Sequence, residues 1–344
     1  MRYLCFLAAA ITLAAPQPQV VDAPRIGIID FYGRRAVPEA RLLTAMGFKV
    51  GDPLPPSKED VEDKLIEVPG IAAAHLEATC CLNDQVVLYV GVEERGAPHL
   101  EYHALPKNED LVLPEEIHRE YEGFLAAVAL AVRAGNTAED LSAGHSIMSH
   151  TGARVHQIRF MKLAEDHLTE IRKVIRESAD GEQRAIAAYV AGYAPDKTLV
   201  VDDLQWAIRD ADPTVRNNAM RALAAISIFA TKEPNPKLKV SATWFIEALN
   251  SLDWQDRVTA ANILVTLTDT RNPAIFEQIR DRAQPALVEM AGWKTLPQAL
   301  PAFLVLGRMA GIAEPEIESL WSAGKRDEVL AKFQLGPTKP ATKK

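Results

Sequence analysis

The chain has 344 residues, enough for two ordinary domains at roughly 100–200 residues each. Apolar residues make up 48% and charged residues 24%, the balance of a chain with a sizeable packed core, and 18 glycines with 22 prolines exclude collagenous and wholly disordered classes. Acidic side chains outnumber basic ones 46 to 38, for a net charge of −8, which counts against nucleic acid and against an anionic membrane surface as partners, since both need a basic face.

Residues 1–15 (MRYLCFLAAAITLAA) carry one basic residue, a short apolar run and then small residues. The run stops at Pro16, short of the roughly 20 residues that span a bilayer. This pattern predicts a secretory signal peptide cut after Ala14, with Thr12 as the other small residue of the cleavage rule. The expected mature protein is exported, periplasmic or secreted, with no membrane span after cleavage. Cys80 and Cys81 would then be its only cysteines. Neighbours on a strand point to opposite faces, which strains a bond between them, so the chain is read as having no disulfide framework.

Arg25–Phe31 is β-branched, stops at Gly33 and predicts a strand. Pro38–Met46 predicts a short helix burying Leu42, Leu43 and Met46, with Gly47 as its stop. Ser57 and Asp60 form a capping-box pattern before a helix that buries Val61, Leu65 and Val68, and Pro69-Gly70 ends it. Ala74, Leu76, Ala78, Cys80 and Leu82 alternate with polar neighbours. After the turn pair Asn83-Asp84 follow Val86, Leu88, Val90 and Val92, so a hairpin is expected with Cys80 on its buried face and Cys81 on the outer one. The resulting order is β-α-α-β-β over residues 24–95. With the link Gly51-Asp52-Pro53-Leu54 and the break Pro69-Gly70-Ile71, this order resembles a POTRA domain. The resemblance implies docking of polypeptides along a strand edge in exported bacterial assemblies. No barrel-type alternating segments follow residue 100. Residues 96–113, with Pro98, Pro106 and Asn108, read as a linker.

From Pro114 the pattern is helical, with no persuasive strand. Pro114 and Glu115-Glu116 suit the start of a helix over 115–134. Thr151–Ser178 reads as one long helix with Ile158, Met161, Leu163, Leu168, Ile171 and Ile175 on its apolar side. The chain then repeats itself. Asp212, Arg216, Ala219 and Leu223 recur 41 residues later as Asp253, Arg257, Ala260 and Leu264, and 32 residues earlier as Asp180, Arg184, Ala187 and Ala191. Each Asp is placed to cap a helix, each Arg lies four residues on, and the small and apolar residues form the inner face. A partner helix precedes the second and third units (200–208 and 240–252), and a fourth pair is expected at 274–290 and 296–309. This pattern, with Asp210-Ala211-Asp212-Pro213-Thr214-Val215-Arg216, resembles HEAT repeats. The resemblance implies an all-α solenoid over 114–324, clearest at 180–310, that binds proteins on a concave surface. Residues 325–344 are read as a terminal helix turn and a disordered basic tail.

His145, His150, His156 and His167 fall near Glu139, Asp140, Glu165 and Asp166, residue types that ligate Zn²⁺. Their spacing matches no recognised metal signature. On one helix, His156 and His167 would stand about 16 Å apart. Trp206 lies off the predicted core face of its helix and is the candidate exposed interface anchor. Asn217 and Asn218, after Arg216, are candidates to line a groove. Trp244, Trp254, Trp293 and Trp321 are assigned to packing. The sequence has no G-x-S-x-G elbow, no phosphate-binding loop and no dinucleotide fingerprint. The resulting expectation is an exported, non-enzymatic scaffold without a cofactor, binding polypeptide partners through the solenoid groove and the strand edge. The alternative is a metal-dependent enzyme built on residues 139–167, with His145, His150 and His156 as ligands.

Overall fold

Strand β1 (Ile26–Tyr32), helices α1 (Glu39–Met46) and α2 (Lys58–Ile66), and strands β2 (Ile71–Leu82) and β3 (Gln85–Glu94) follow in the predicted order. The computed structural model describes residues 24–82 and 85–333, so the expected signal peptide at 1–15, the turn pair Asn83-Asp84 and the expected tail from Gly336 lie outside the described residues. The sheet order is β1-β3-β2, with β1 parallel and β2 antiparallel to the central β3. Leu88, Val90 and Val92 pack under α1 and α2 with Leu42, Met46, Val61 and Leu65. Val87 and Tyr89, on the other face of β3, are buried as well, in the core shared with the helices that follow. A strand covered on both faces reads as a continuous apolar run, and VVLYVGV does so.

The expectation for Cys80 is corrected. Its side chain is exposed rather than buried, and it is disulfide-bonded. The β2–β3 register shifts between Thr79 and Leu82, so regular alternation of faces does not hold at this end of the strand.

The segment after β3 runs as a strap along the helices. His103 N–H donates to Arg209 O, Ala179 N–H donates to Asn108 O, and Leu113 N–H donates to the Gln183 side chain. Helix α3 (Glu115–Arg133) follows, then two short strands that the sequence did not predict, β4 (Glu139–Asp140) and β5 (Ile147–Met148), which pair as an antiparallel ribbon. The single long helix expected next is two, α4 (Thr151–Asp166) and α5 (Leu168–Glu177). His167, at φ −116° and ψ 23°, leaves helical geometry between them. The chain thereby turns α5, so that its buried residues Ile171, Val174 and Ile175 meet α6 (Gly181–Ala191).

Next come α7 (Val201–Ala207), α8 (Pro213–Lys232), α9 (Thr243–Ala248), α10 (Trp254–Leu267), α11 (Pro273–Arg282), α12 (Gln284–Ala291), α13 (Leu296–Met309), α14 (Glu314–Ser322) and α15 (Arg326–Leu330). Helices α6, α8, α10 and α13 lie side by side in one layer, while α5, α7 and α9 back onto α6, α8 and α10 from a second. The molecule is thus a small α+β unit followed by a mostly helical region, and the expectation of an all-α region is corrected by the β4–β5 ribbon within it. No helix among the described residues is long and apolar enough to cross a membrane.

The repeated Asp and Arg residues sit at the turns that lead into α6, α8 and α10. Asp180, Asp212 and Asp253 each cap the helix that follows, accepting from backbone N–H groups two or three residues on. Arg184 donates to Ser178 O and Ala179 O and forks onto both oxygens of Asp210 at 2.7 and 2.8 Å. Arg216 donates to Asp210 O, Ala211 O and, at 2.7 Å, the carboxylate of Asp256. Arg257 donates to Ser251 O, but its guanidinium then turns to the sheet and covers the Tyr32 ring at 4.8 Å. Half-buried Glu289 is its charge partner and accepts from Gly33 N–H at 2.7 Å. Tyr32 Oη donates to Leu252 O at 2.8 Å, and the Tyr89 ring packs at a tilt against Trp254 and Trp293. The third rung therefore joins the sheet to the helices.

Candidate binding cleft

The β4–β5 ribbon follows α3 and its segment reaches Tyr193, just past α6, and Arg221 of α8. Its tip reaches Lys197 and Phe229 at Gly144, whose φ of +78° only glycine adopts readily. Gln157 of α4, fully buried, anchors the base: its Oε1 accepts from Met148 N–H at 2.7 Å, and its Nε2 donates to Tyr193 Oη and Ser146 Oγ. Tyr193 Oη in turn donates to Ser146 O at 3.0 Å. Arg154 Nε holds Met148 O, and Ser149 N–H closes the ribbon onto Ala138 O.

Between the ribbon and the helices lies a cleft of about 350 Å³, in the lower part of the range of roughly 300–1,000 Å³ typical of ligand pockets. Leu141, Ala222, Ile228, Val258 and Ile263 supply apolar wall, and Tyr189 and Tyr193 add rings. The far wall is α10, where Gln255, Thr259, Asn262 and Thr266 stand at i, i+4, i+7 and i+11 along one face. Asn218 lies on α8, its Nδ2 donating to Ala185 O at 2.9 Å. One turn on, Arg221 Nη2 donates to both oxygens of the ribbon's Glu139, at 2.7 and 3.0 Å, and Ser146 Oγ steadies the same carboxylate.

Burial sets the protonation of the other groups. Lys197, buried beneath the ribbon, donates to Gly192 O at 2.7 Å, and desolvation lowers its pKa to about 8. His145 loses solvent and faces Lys197 across 3.4 Å, which lowers its pKa to about 4. The imidazole is therefore neutral at pH 7. Burial raises Tyr193 to about 12 and Tyr189 further, so both keep the phenolic proton. The cleft combines apolar surface, neutral hydrogen-bonding groups and one ion pair at its edge, a set of groups suited to recognition.

No protein-family model matches the chain, and no curated protein matches it.

Of the residues singled out in the sequence, the structure brings Asn218 and His145 into this cleft, with Glu139 and Ser146 from the same segment. Asn217, half-buried one residue earlier, does not line it. Trp206 is not an exposed anchor. It is half-buried, stacked on His103 at 4.4 Å and covered by Arg176 at 5.0 Å. The strap at 97–113 supplies His103, a neighbour that helix periodicity does not reveal. The metal candidates do not converge: His150 Nδ1 caps α4 by accepting from Ala153 N–H, His156 pairs with Glu120 at 2.5 Å, and His167 pairs with Glu116 at 2.7 Å. Among the described residues no group of three His, Cys, Asp or Glu side chains is placed to hold a metal ion. Sequence reasoning missed Arg221 and the α10 stripe. The stripe's polar residues at helical spacing were the available signal for it.

Proposed function

We propose that the protein is a non-enzymatic binding module of the cell envelope: a HEAT-type helical solenoid fused to a POTRA-like sheet domain, exported, and taking polypeptide partners on its α6–α8–α10 face. The observation that carries this reading is the cleft across three successive helix pairs. It sets an apolar wall opposite a stripe of Gln, Thr and Asn side chains able to bond a peptide backbone. The repeated Asp caps and buried Arg residues support the solenoid part of the reading. The position of β2 at the sheet edge supports a second, backbone-mediated contact there.

A photo-crosslinking amino acid at Thr259, with Thr231 outside the cleft as control, tests the reading in intact cell envelopes. The expected result is a discrete polypeptide adduct at Thr259 that disappears when Ile228→Arg fills the cleft. Adducts at Thr259 that contain only lipid or small molecules, or none at all, would overturn it.

A further inference from the structure

Within the cleft, the Arg221–Glu139 pair invites a more specific reading, which rests on the proposed polypeptide-binding function. Arg221 is the one Lys or Arg side chain among the cleft's described lining residues. All of its hydrogen bonds among the described residues run from Nη2 to Glu139. Both partners are partly exposed, with side chains 47% and 26% accessible, and a pair so exposed contributes only about 0–1 kcal/mol. Glu139 arrives on a two-residue strand and closes no ladder of buried rungs. Its carboxylate, held by Nη2 alone and by Ser146 Oγ, can be replaced by another at little net cost, because a guanidinium offers further N–H groups in its plane to any carboxylate that arrives.

Two further features say what that other carboxylate would belong to. Directly beside Arg221, on the same helix, are Ala222 and, two turns on, Ile228, facing Val258 and Ile263 across the cleft. A group on Arg221 therefore has an apolar cavity next to it. The ribbon also closes the cleft at its tip, where Gly144 abuts Phe229 of α8 and Lys197 between α6 and α7. A chain crossing from α10 toward the ribbon would meet that closed end, whereas a chain that ends there would not. A carboxylate and an apolar side chain at the end of one chain belong to a C-terminal residue.

We infer that the cleft binds the C-terminal residue of a polypeptide, with its apolar side chain in the cavity and its α-carboxylate on Arg221 in place of Glu139. Glu139 acts as an internal stand-in that holds the site closed until the ligand displaces it. Thr259 and Asn262 face the backbone of the residues before the terminus.

The test is fluorescence anisotropy on the full chain with three dye-labelled peptide pools of random sequence: one ending in a free-acid leucine, one in leucine amide, and one amidated but with an internal Asp before the leucine. The free-acid pool is expected to bind saturably, and the amide roughly ten- to a hundredfold more weakly, the range of a hydrogen bond to a charged group. Arg221→Gln should abolish the acid-over-amide preference without shifting the melting curve, and Arg221→Lys should restore it only in part. Glu139→Gln should tighten free-acid binding several-fold by removing the competitor. Equal binding of acid and amide, or tightest binding of the internal-Asp pool, would overturn the C-terminal assignment and leave the polypeptide-binding reading standing. No binding of any pool, together with no polypeptide adduct at Thr259, would remove both.

Discussion

The carboxylate of Asp30 on β1 anchors the entry to helix α13, which starts more than 260 residues further along the chain: it accepts from Lys294 N–H, Thr295 N–H and Thr295 Oγ1. Thr295 holds the N-cap position and makes no capping bond of its own; its hydroxyl turns to the strand instead. Trp293 Nε1 and Lys294 Nζ donate to Phe31 O and Ile29 O of the same strand. With Arg257 over Tyr32, these contacts make the sheet a flank of the helical core rather than a separate bead.

Replacing Asp30 by Ala should therefore lower stability by about 1–3 kcal/mol, the cost of leaving the donors of Lys294 and Thr295 without their carboxylate. Asp30→Asn keeps an acceptor and should cost less. Urea titrations followed by tryptophan fluorescence and by far-ultraviolet circular dichroism check this. The wild-type curves should coincide, because Trp254 and Trp293 sit at the sheet–helix junction. Separate wild-type transitions, or an unchanged midpoint in Asp30→Ala, would contradict the shared core.

The Arg184–Asp210 pair is buried on both sides, at 1% and 2% side-chain exposure. Arg184→Ala leaves the Asp210 carboxylate without its fork and should cost about 3–5 kcal/mol. Arg184→Lys should recover little, because an ammonium cannot occupy both Asp210 oxygens and the Ser178 and Ala179 carbonyls in one plane. Arg159→Ala, which removes an exposed pair with Glu120, should change the denaturation midpoint by no more than about 0.5 kcal/mol equivalent. If Arg184→Lys proved as stable as wild type, charge rather than the fork would be what holds this turn.

These rungs were legible in the sequence because a cap and its Arg are four residues apart, and a local spacing repeats visibly. The strand–helix–helix–strand–strand order was legible for a similar reason: each element carries its own period or its own stop. The junction was not. Nothing near Asp30 or Thr295 in sequence announces a bond across the chain, and Tyr32 and Trp293 read as ordinary packing residues. The ribbon was missed because two-residue strands have no period to detect. Trp206 was misjudged because the strap at 97–113 covers a helix side that looks open when the helix is considered alone.

Gly91 pairs with Tyr32 across β1 and β3, and a Cβ there would lie 2.4–2.5 Å from the Tyr32 ring. Gly91→Ala should push the ring off its place, with loss of the Tyr32 Oη bond to Leu252 O and of the cover over Arg257. The expected cost is about 1–3 kcal/mol, typical of overpacking. In a Tyr32→Leu background the same substitution should cost much less, and a double-mutant cycle measures the difference as coupling. Additive effects would mean that the clash is relieved elsewhere.

The last prediction concerns acid. His145 has its pKa lowered from 6.5 to about 4 in the folded chain by burial and by Lys197. Between these values the unfolded chain binds a proton that the folded one does not, so stability falls as pH drops from 6.5 and the loss levels off below about 4. Lys197, lowered from 10.5 to about 8 by burial, has the same sign at the other end: stability rises as pH climbs through 8 to 10.5. Melting temperatures between pH 4 and 10.5 test both limbs. His145→Asn should flatten the acid limb and leave the alkaline one, while Lys197→Met should flatten the alkaline limb and, by removing the charge that opposes imidazolium, weaken the acid one as well. An acid limb unchanged in His145→Asn would place its origin in other groups and detach the ribbon from the pH response.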